Sequence, residues 1–190
     1  AYGTFKYLLR NPVNQEMGRK FKISFSASDE DTAYSFIHDL GFIPRIVDGK
    51  RGFKVLIGGG LGANPYLALP AFDFLEEDQI IPFTEGVLRV FDRYGERNRR
   101  MKARMKFLLD DIGLEEMMRL VKEEWNALAV KSYKFDLDAL PAPKLSDFVP
   151  ESPAVIANEK RYQQWFDTNV IKQKQSGYYG VYVKLPLGNL

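Results

Sequence analysis

The stretch Gly52–Pro65, GFKVLIGGGLGANP, leads an apolar run into a loop with glycine at four of five consecutive positions. Glycine suits positions where the backbone takes a positive φ or approaches another group closely, so the loop predicts such a contact. Gly58, Gly60 and Ala63 also satisfy the dinucleotide-binding pattern G-x-G-x-x-A, which needs a helix to begin at once. Asn64-Pro65 follows instead, and the residue before a proline is biased away from helix. A nicotinamide-binding enzyme remains a hypothesis that requires a helix directly after the glycines.

Two strand signals surround this loop in the sequence. Phe42–Val47 and Phe53–Ile57 are apolar runs joined by Asp48-Gly49, which predicts a β-hairpin leading into the glycines. Lys20–Ser26 alternates apolar and polar residues, which predicts a half-buried strand. Because side chains alternate along a strand, both lysines of this segment are expected on one face.

Apolar residues at helical spacing predict that much of the remaining chain is helical. The predicted helices are Ser28–Leu40, a short one at Pro70–Leu75, Pro82–Tyr94, Arg97–Ile112 and Leu114–Ala129. Met101 is predicted on the buried face of the fourth, and residues 1–18 are expected to be irregular. Together these elements indicate an α+β fold, with helices packed on a mixed or antiparallel sheet.

The composition changes after residue 138. Four prolines between residues 141 and 153 predict an extended crossing segment over residues 139–160. An amphipathic stretch, Tyr162–Asp167, and a strand, Tyr178–Leu185, come next, and little sequence then remains to pair with that strand. We therefore expect a first domain at 1–138, a linker at 139–160 and the opening of a second unit at 161–190. On this interpretation the chain is a fragment of a longer protein.

The composition excludes several classes of site. The 190 residues contain no cysteine, which excludes disulfides, thiolate catalysis and cysteine-ligated metal within this chain. One histidine, His38, makes an ordinary zinc site improbable, and no metal-ligating residue is predicted. No apolar run reaches the roughly 18–20 residues that span a bilayer, so no membrane partner is expected. The N-terminus lacks the pattern of a signal peptide, which makes the cytoplasm the expected location.

Basic residues form two clusters. Arg19, Lys20 and Lys22 lie at the first predicted strand, and Arg97, Arg100 and Arg104 recur at helical spacing on one stripe. Such a stripe is either a solvated helix face or a site for an anion with several charges. Nucleic acid is not expected, because the net charge is only +2 and few aromatic residues lie among the basic ones.

Four segments in register resemble the siroheme-dependent sulfite and nitrite reductases. They are Gly18–Ile23, His38–Pro44, Gly52–Gly62 and Leu88–Gly95, and the order and spacing match over most of residues 17–125. Gln175–Val183 resembles the start of the second ferredoxin-like half-domain in that family. The resemblance implies that the chain is the first siroheme-binding lobe, a linker and the opening of the next half.

The resemblance also implies roles for individual residues. The positions matching Lys20 and Lys22 contact bound sulfite or nitrite and are the expected catalytic residues. Lysine at the position of Lys22 is typical of sulfite reductases, where nitrite reductases tend to have asparagine. Further positions match those that contact siroheme: Arg19, Arg97, Arg100 and Arg104 at its carboxylates, and Gly58, Gly59 and Gly60 at the macrocycle. On this basis alanine at Gly59 or Gly60 should impair siroheme retention more than folding.

The implied activity is the six-electron reduction of sulfite to sulfide, or of nitrite to ammonia, at siroheme coupled to a [4Fe-4S] cluster. In that family the cluster cysteines lie in the second half, so the isolated chain is expected to bind no cofactor and to be inactive. The implied partners are the oxyanion, a ferredoxin or flavoprotein electron donor, and the remainder of the polypeptide. The alternative is a stand-alone module that binds anions or RNA through the two basic clusters.

Overall fold

The computed structural model describes residues 1–136, 156–173 and 177–185. The chain divides into two compact units, Ala1–Leu140 and Pro141–Leu190. Most of the predicted crossing linker, residues 139–160, lies outside the described residues. None of the helices in the described ranges is long and apolar enough to cross a membrane.

A four-stranded mixed sheet forms the centre of the first unit. Its strands are β1 (Ile23–Phe25), β2 (Leu40–Val47), β3 (Lys50–Ile57) and β4 (Leu69–Glu76), in that spatial order. β1 and β2 run parallel, whereas β2–β3 and β3–β4 are antiparallel. The predicted hairpin is confirmed: Val47 lies opposite Lys50, and Asp48 and Gly49 take the positive φ values of 50° and 74° that a tight turn requires.

Two of the predicted helices are wrong. Pro70–Leu75 lies within strand β4, at the edge of the sheet. A proline is tolerated in an edge strand because one side of that strand makes no hydrogen bonds to a neighbouring strand, so the missing N–H is not required. Ser28–Leu40 forms only a short 3-10 turn at Ser35–Ile37, because Asp31 and Tyr34 take left-handed conformations. The Asp31 carboxylate accepts hydrogen bonds from the Ser26 hydroxyl at 2.5 Å and from the Ser35 N–H at 2.9 Å. These local bonds replace the helical ones.

The N-terminal region is more ordered than predicted. Helix α1 covers Tyr2–Leu8, and a 3-10 turn follows at Pro12–Asn14. Strand β1 covers only Ile23–Phe25, so the two lysines precede it. Ser24, expected on the polar face, is buried.

Two long helices cover the sheet. Helix α2 (Ile80–Tyr94) confirms the helix predicted to end before Gly95, and helix α3 covers Met105–Ala127. Gly113 interrupts α3 with φ 78° and ψ 164°, which agrees with the predicted break there. The apolar core contains Phe42, Val55 and Ile57 of the sheet, Phe83 and Val87 of α2, and Met105, Met117 and Val121 of α3. Each large side chain buried in this way contributes about 1.5–3 kcal/mol.

The second unit contains a helix and a small hairpin. Helix α4 covers Glu159–Asn169. Asn158 caps its N-terminus, because the side-chain oxygen of Asn158 accepts a hydrogen bond from the Arg161 N–H at 2.9 Å. Strands β5 (Val170–Lys172) and β6 (Tyr179–Val181) are antiparallel. The expectation that the last strand has nothing to pair with is therefore wrong, because β6 pairs with the strand just before it.

Candidate functional site

The two lysines lie in the segment that enters β1. Lys20 and Lys22 are exposed, while Phe21 between them turns inward and its ring lies 5.8 Å from that of Phe91 on α2. This alternation places both ammonium groups on the outer face of the segment, as the sequence predicted. Two positive charges are thus presented at the surface from a backbone that is anchored in the core.

A buried carboxylate lies directly beneath this segment. Asp39 is fully buried, and its Oδ2 accepts hydrogen bonds from the Lys22 N–H at 2.9 Å and from Arg104 Nη2 at 2.6 Å. The backbone of Asp39 also accepts a hydrogen bond from the Gly58 N–H at 2.9 Å. One residue therefore connects the lysine segment, the glycine loop and the start of α3. Sequence reasoning missed it, although a charged residue directly before a buried strand is a usable signal.

The Asp39–Arg104 pair is an electrostatically unusual feature. Burial raises the pKa of the Asp39 carboxyl, and the hydrogen bond and charge of Arg104, together with the Lys22 N–H, oppose that rise. Arg104 is itself mostly buried, with 14% of its side chain exposed. Within the described residues, Asp39 Oδ1 and Arg104 Nε are buried without a hydrogen-bond partner. An incompletely bonded buried pair is costly to maintain, which points to a role beyond stability.

The glycine loop packs against the protein's own chain. The N–H groups of Gly58 and Gly59 donate to the carbonyls of Asp39 and His38, and Gly60 exchanges two backbone hydrogen bonds with Tyr66. The N–H groups of Gly58, Gly59 and Gly60 therefore bond to the chain itself and are not available to an anion. The chain after Gly62 is non-helical and returns through this bridge, which removes the nicotinamide hypothesis.

The space around each glycine explains why no side chain is present. A Cβ on Gly58 would lie 2.1 Å from Leu109 Cδ2, and one on Gly59 would lie 2.5 Å from the Phe36 carbonyl oxygen. A Cβ on Gly60 would meet only side-chain atoms, Lys106 Cδ at 3.0 Å and Arg104 Nη2 at 3.6 Å. The close approach expected from the sequence is thus present, with the protein itself as one partner. Contact of the loop with a macrocycle stays a prediction.

We expect Gly59→Ala to destabilise the first unit by about 1–3 kcal/mol, the range for over-packing a rigid site. The added methyl group would collide with backbone carbonyls, which cannot move without disturbing the turn before β2. Urea unfolding followed by the fluorescence of Trp125, in a Trp165→Phe background, measures this unit alone. Gly60→Ala is the matched control, because its neighbour is a side chain that can shift. Equal stability of the two variants would restore the expectation that Gly59 matters for cofactor retention rather than folding.

Lys106 is a second functional candidate that sequence reasoning missed. It is 4% exposed, and its ammonium donates to the carbonyls of Leu61, at 3.2 Å, and of Asn64. The same group lies 5.4 Å from the ring centre of Tyr66 and 5.0 Å from that of Phe107. Lys106 therefore fixes the segment that follows the glycines. No local pattern distinguishes it from the exposed lysines around it.

The buried ammonium of Lys106 predicts a pH dependence of stability. Burial, assisted by the charge of Arg104, lowers the pKa of Lys106 from its ordinary value of 10.5. The unfolded chain then binds more protons than the folded chain at pH values between the two, so the free energy of unfolding rises with pH in that range. Lys106→Met should abolish this rise, measured by urea unfolding at a series of alkaline pH values below 10.5. The exposed Lys102→Met serves as control, and parallel curves for wild type and Lys106→Met would contradict the prediction.

The prediction that Arg97, Arg100 and Arg104 lie on one helix is wrong. Helix α3 begins only at Met105, Arg100 lies in a 3-10 turn at Arg100–Lys102, and Met101 is exposed rather than buried. Extended conformations at Arg99 and Arg104 prevent one continuous helix. Of the three predicted residues, Arg104 joins the lysine segment, whereas Arg97 binds the Asp92 carboxylate at the end of α2. Binding of cofactor carboxylates by these arginines stays a prediction.

Arg19 lies beside the lysines in a surface groove. The groove has a volume of about 320 Å³, and Arg19, Lys20, Met17 and Leu88 are among its lining residues. The Nε of Arg19 is buried without a hydrogen-bond partner in the part of the chain that the structure describes. A guanidinium with an unused donor can bind a carboxylate, so Arg19 suits the role expected of it.

Comparison with known proteins identifies the family. The family described as "Nitrite and sulphite reductase 4Fe-4S domain" matches residues 5–128. The chain belongs to this family. It is 26% identical over 181 residues to a chloroplastic ferredoxin–nitrite reductase of Zea mays, covering 95% of this chain and 28% of the relative. It is 36% identical over 132 residues to the sulfite reductase [NADPH] hemoprotein beta-component of Bacillus subtilis, covering 62% of this chain and 22% of the relative.

A solved structure agrees with this assignment. The NirA protein of Mycobacterium tuberculosis superposes with a TM-score of 0.59 at 27% identity, over 70% of this chain and 25% of that protein. This similarity confirms the α+β fold with a mixed sheet. The chain spans between a fifth and a third of the length of these nitrite and sulfite reductases, from 22% to 28%.

Proposed function

We propose that this chain contributes the oxyanion-facing lobe of a siroheme-dependent reductase that converts sulfite to sulfide, or nitrite to ammonia. The observation that carries the proposal is the exposed pair Lys20 and Lys22, anchored from beneath by the buried Asp39–Arg104 pair. Lys22 favours sulfite over nitrite as substrate, on the resemblance described above. Family membership supports the reaction class.

The lysines suit both demands of this chemistry. Sulfite and nitrite are small anions, and an ammonium group provides a compact charge with three hydrogen-bond donors. Each oxygen removed leaves as water, so protons must reach it from donors close by. We assign to Lys20 and Lys22 both the binding of the oxyanion and the supply of protons to its oxygens.

The residues fit one of the two expected cofactors. Siroheme, which would supply the electrons at an iron centre, carries carboxylates, and the unused Nε donors of Arg19 and Arg104 are suitable partners for them. A cysteine-ligated [4Fe-4S] cluster does not fit, because the sequence contains no cysteine. We therefore propose that the cluster ligands are supplied by the part of the polypeptide that corresponds to the rest of these relatives.

We propose that residues 1–138 form the siroheme-binding lobe, 139–160 a crossing linker and 161–190 the opening of a second ferredoxin-like half-domain. The division of the chain near residue 140 supports it. A ferredoxin or a flavoprotein is the proposed electron donor, by analogy with the named relatives.

Two preparations test the function. Residues 1–190 alone should oxidise no reduced viologen when sulfite or nitrite is added, whereas a complete polypeptide of the relatives' length should do so and show siroheme absorbance. A fragment that bound siroheme stoichiometrically and reduced sulfite would overturn the division of labour proposed here. A complete protein that reduced neither oxyanion would overturn the function itself.

The alternative, an RNA-binding module, is tested by titration with single-stranded RNA at several salt concentrations. Strong binding with a steep salt dependence would favour it. The structure weighs against it, because two arginines of the second basic cluster have acidic partners, Arg97 with Asp92 and Arg104 with Asp39. The neighbouring Arg99 is paired as well, with Glu96. Paired arginines have less charge available for phosphate groups.

A further inference from the structure

We propose that Asp39 is a positioning residue, which fixes Lys22 through its backbone and Arg104 through its guanidinium. The inference rests on the proposed function, because it concerns how the oxyanion-binding lysine is held. Asp39 is fully buried and does not contact solvent. Its effect would be exerted entirely through the two cations.

The backbone of Lys22 is held from both sides of the residue. Its N–H donates to Asp39 Oδ2 at 2.9 Å, and its carbonyl accepts from the Leu40 N–H at 3.1 Å. Strand β1 begins only at Ile23, so the Lys22 N–H lies outside the regular ladder, and the carboxylate serves as its acceptor. Fixing both peptide groups fixes the direction of the Cα–Cβ bond. The exposed side chain of Lys22 therefore starts from a defined position.

The same carboxylate oxygen orients Arg104. Arg104 directly precedes α3 and lies 65 residues after Asp39 in the sequence. Sharing Oδ2 brings the Lys22 backbone and the Arg104 guanidinium to one atom, and the negative charge offsets the positive charge of Arg104. A carboxylate is needed for this arrangement, because an amide oxygen could accept the N–H of Lys22 but would leave a buried cation unneutralised.

A purely stabilising ion pair is the competing explanation, and a matched control separates the two. Glu85 is also buried, with 5% of the residue exposed, and pairs with Arg89 while accepting a hydrogen bond from Tyr7. Its partners in the part of the chain that the structure describes do not include the lysine segment, and it belongs to α2 rather than to the turn before β2. Glu85→Gln thus removes a comparable buried charge elsewhere in the same unit.

The first experiment measures amide hydrogen exchange in residues 1–190, without any cofactor. Asp39→Asn should accelerate exchange of the Lys22 amide at least about tenfold over wild type, because a neutral amide is a weaker acceptor than a carboxylate. Glu85→Gln should leave that amide unchanged. If Asp39→Asn does not fold, Asp39→Glu keeps the charge and displaces the oxygen by one methylene, with the same expectation. Unchanged Lys22 exchange in the folded variant would overturn the proposal.

The second experiment measures steady-state kinetics in the complete reductase. Asp39→Asn should raise KM for sulfite about 10- to 100-fold in enzyme whose siroheme content is matched to wild type, the order expected for a group misplaced by roughly 1 Å. Glu85→Gln should leave KM for sulfite unchanged, because the partners of Glu85 are Arg89 and Tyr7 and not the lysine segment. An equal rise in both variants would show a general stability effect and overturn the positioning role. A wild-type protein that reduces neither oxyanion would overturn the proposed function, while the exchange experiment still decides whether Asp39 holds Lys22.

Discussion

Replacing Lys20 and Lys22 together by alanine is expected to lower kcat/KM for the oxyanion by about 10²–10⁴-fold, the range for loss of positioned proton donors. The complete reductase, with reduced viologen as electron donor, is the protein to measure. Both residues are exposed, so the free energy of unfolding should stay within about 0.5 kcal/mol of wild type. The loss of activity would then reflect chemistry at the site rather than folding.

The control for this experiment is an exposed lysine of the sheet, far from the lysine segment in sequence. Lys50 begins β3 at the hairpin, whereas the glycine loop follows the opposite end of that strand, and Lys50 pairs with Glu76. Lys50→Ala should retain full activity. Comparable losses in both proteins, or a double variant with wild-type kcat/KM, would remove Lys20 and Lys22 from the catalytic role.

The elements that sequence predicted correctly are those encoded by adjacent residues. The hairpin depends on Asp48-Gly49 between two apolar runs, and α2 depends on an apolar stripe that ends before Gly95. Gly113 predicts a helix break for a similar local reason, because glycine commonly ends a helix. The structure shows the break, with Gly113 at a φ of 78°. Local rules of this kind need no knowledge of tertiary structure.

The errors occur where tertiary contacts override local preference. Pro70–Leu75 is an edge strand because β3 offers it a partner, and periodicity in so short a segment cannot show that. Ser28–Leu40 has the apolar spacing of a helix, but Asp31 bonds to Ser26 and Ser35 and fixes a turn instead. In the first case the deciding partner is another strand, and in the second case it is a set of local side-chain hydrogen bonds that competes with the helix.

The candidate site shows the same division. The exposed lysines were found because strand alternation and a family motif both mark them. Asp39 and Lys106 were missed because a single buried charge leaves no periodic signal, and its partners lie far away in sequence: Asp39 bonds Arg104, and Lys106 bonds the carbonyl of Leu61. The glycines predict a place of close approach, and the structure shows that approach to Phe36 and Leu109 of the same chain.

Removing the cation of the buried pair should have the largest effect on stability. Arg104→Met is expected to destabilise the first unit by about 3–5 kcal/mol, because Asp39 would remain buried without a counter-charge. Unfolding in urea, followed by Trp125 fluorescence in the Trp165→Phe background, reports on this unit. Arg97→Met is the control: its ion pair with Asp92 is half exposed, so its loss should cost less than about 1 kcal/mol.

A double variant tests the physical cause of that loss. In Asp39→Asn/Arg104→Met no charge is left buried alone, and the asparagine oxygen can still accept the Lys22 N–H. The double variant should therefore be more stable than Arg104→Met, with a coupling of about 0.5–3 kcal/mol between the two sites. Strict additivity would show that Asp39 and Arg104 contribute separately. Recovery of stability without recovery of oxyanion affinity would separate the two consequences of the pair, because the charge balance would be restored while the Lys22 N–H was no longer held by a carboxylate.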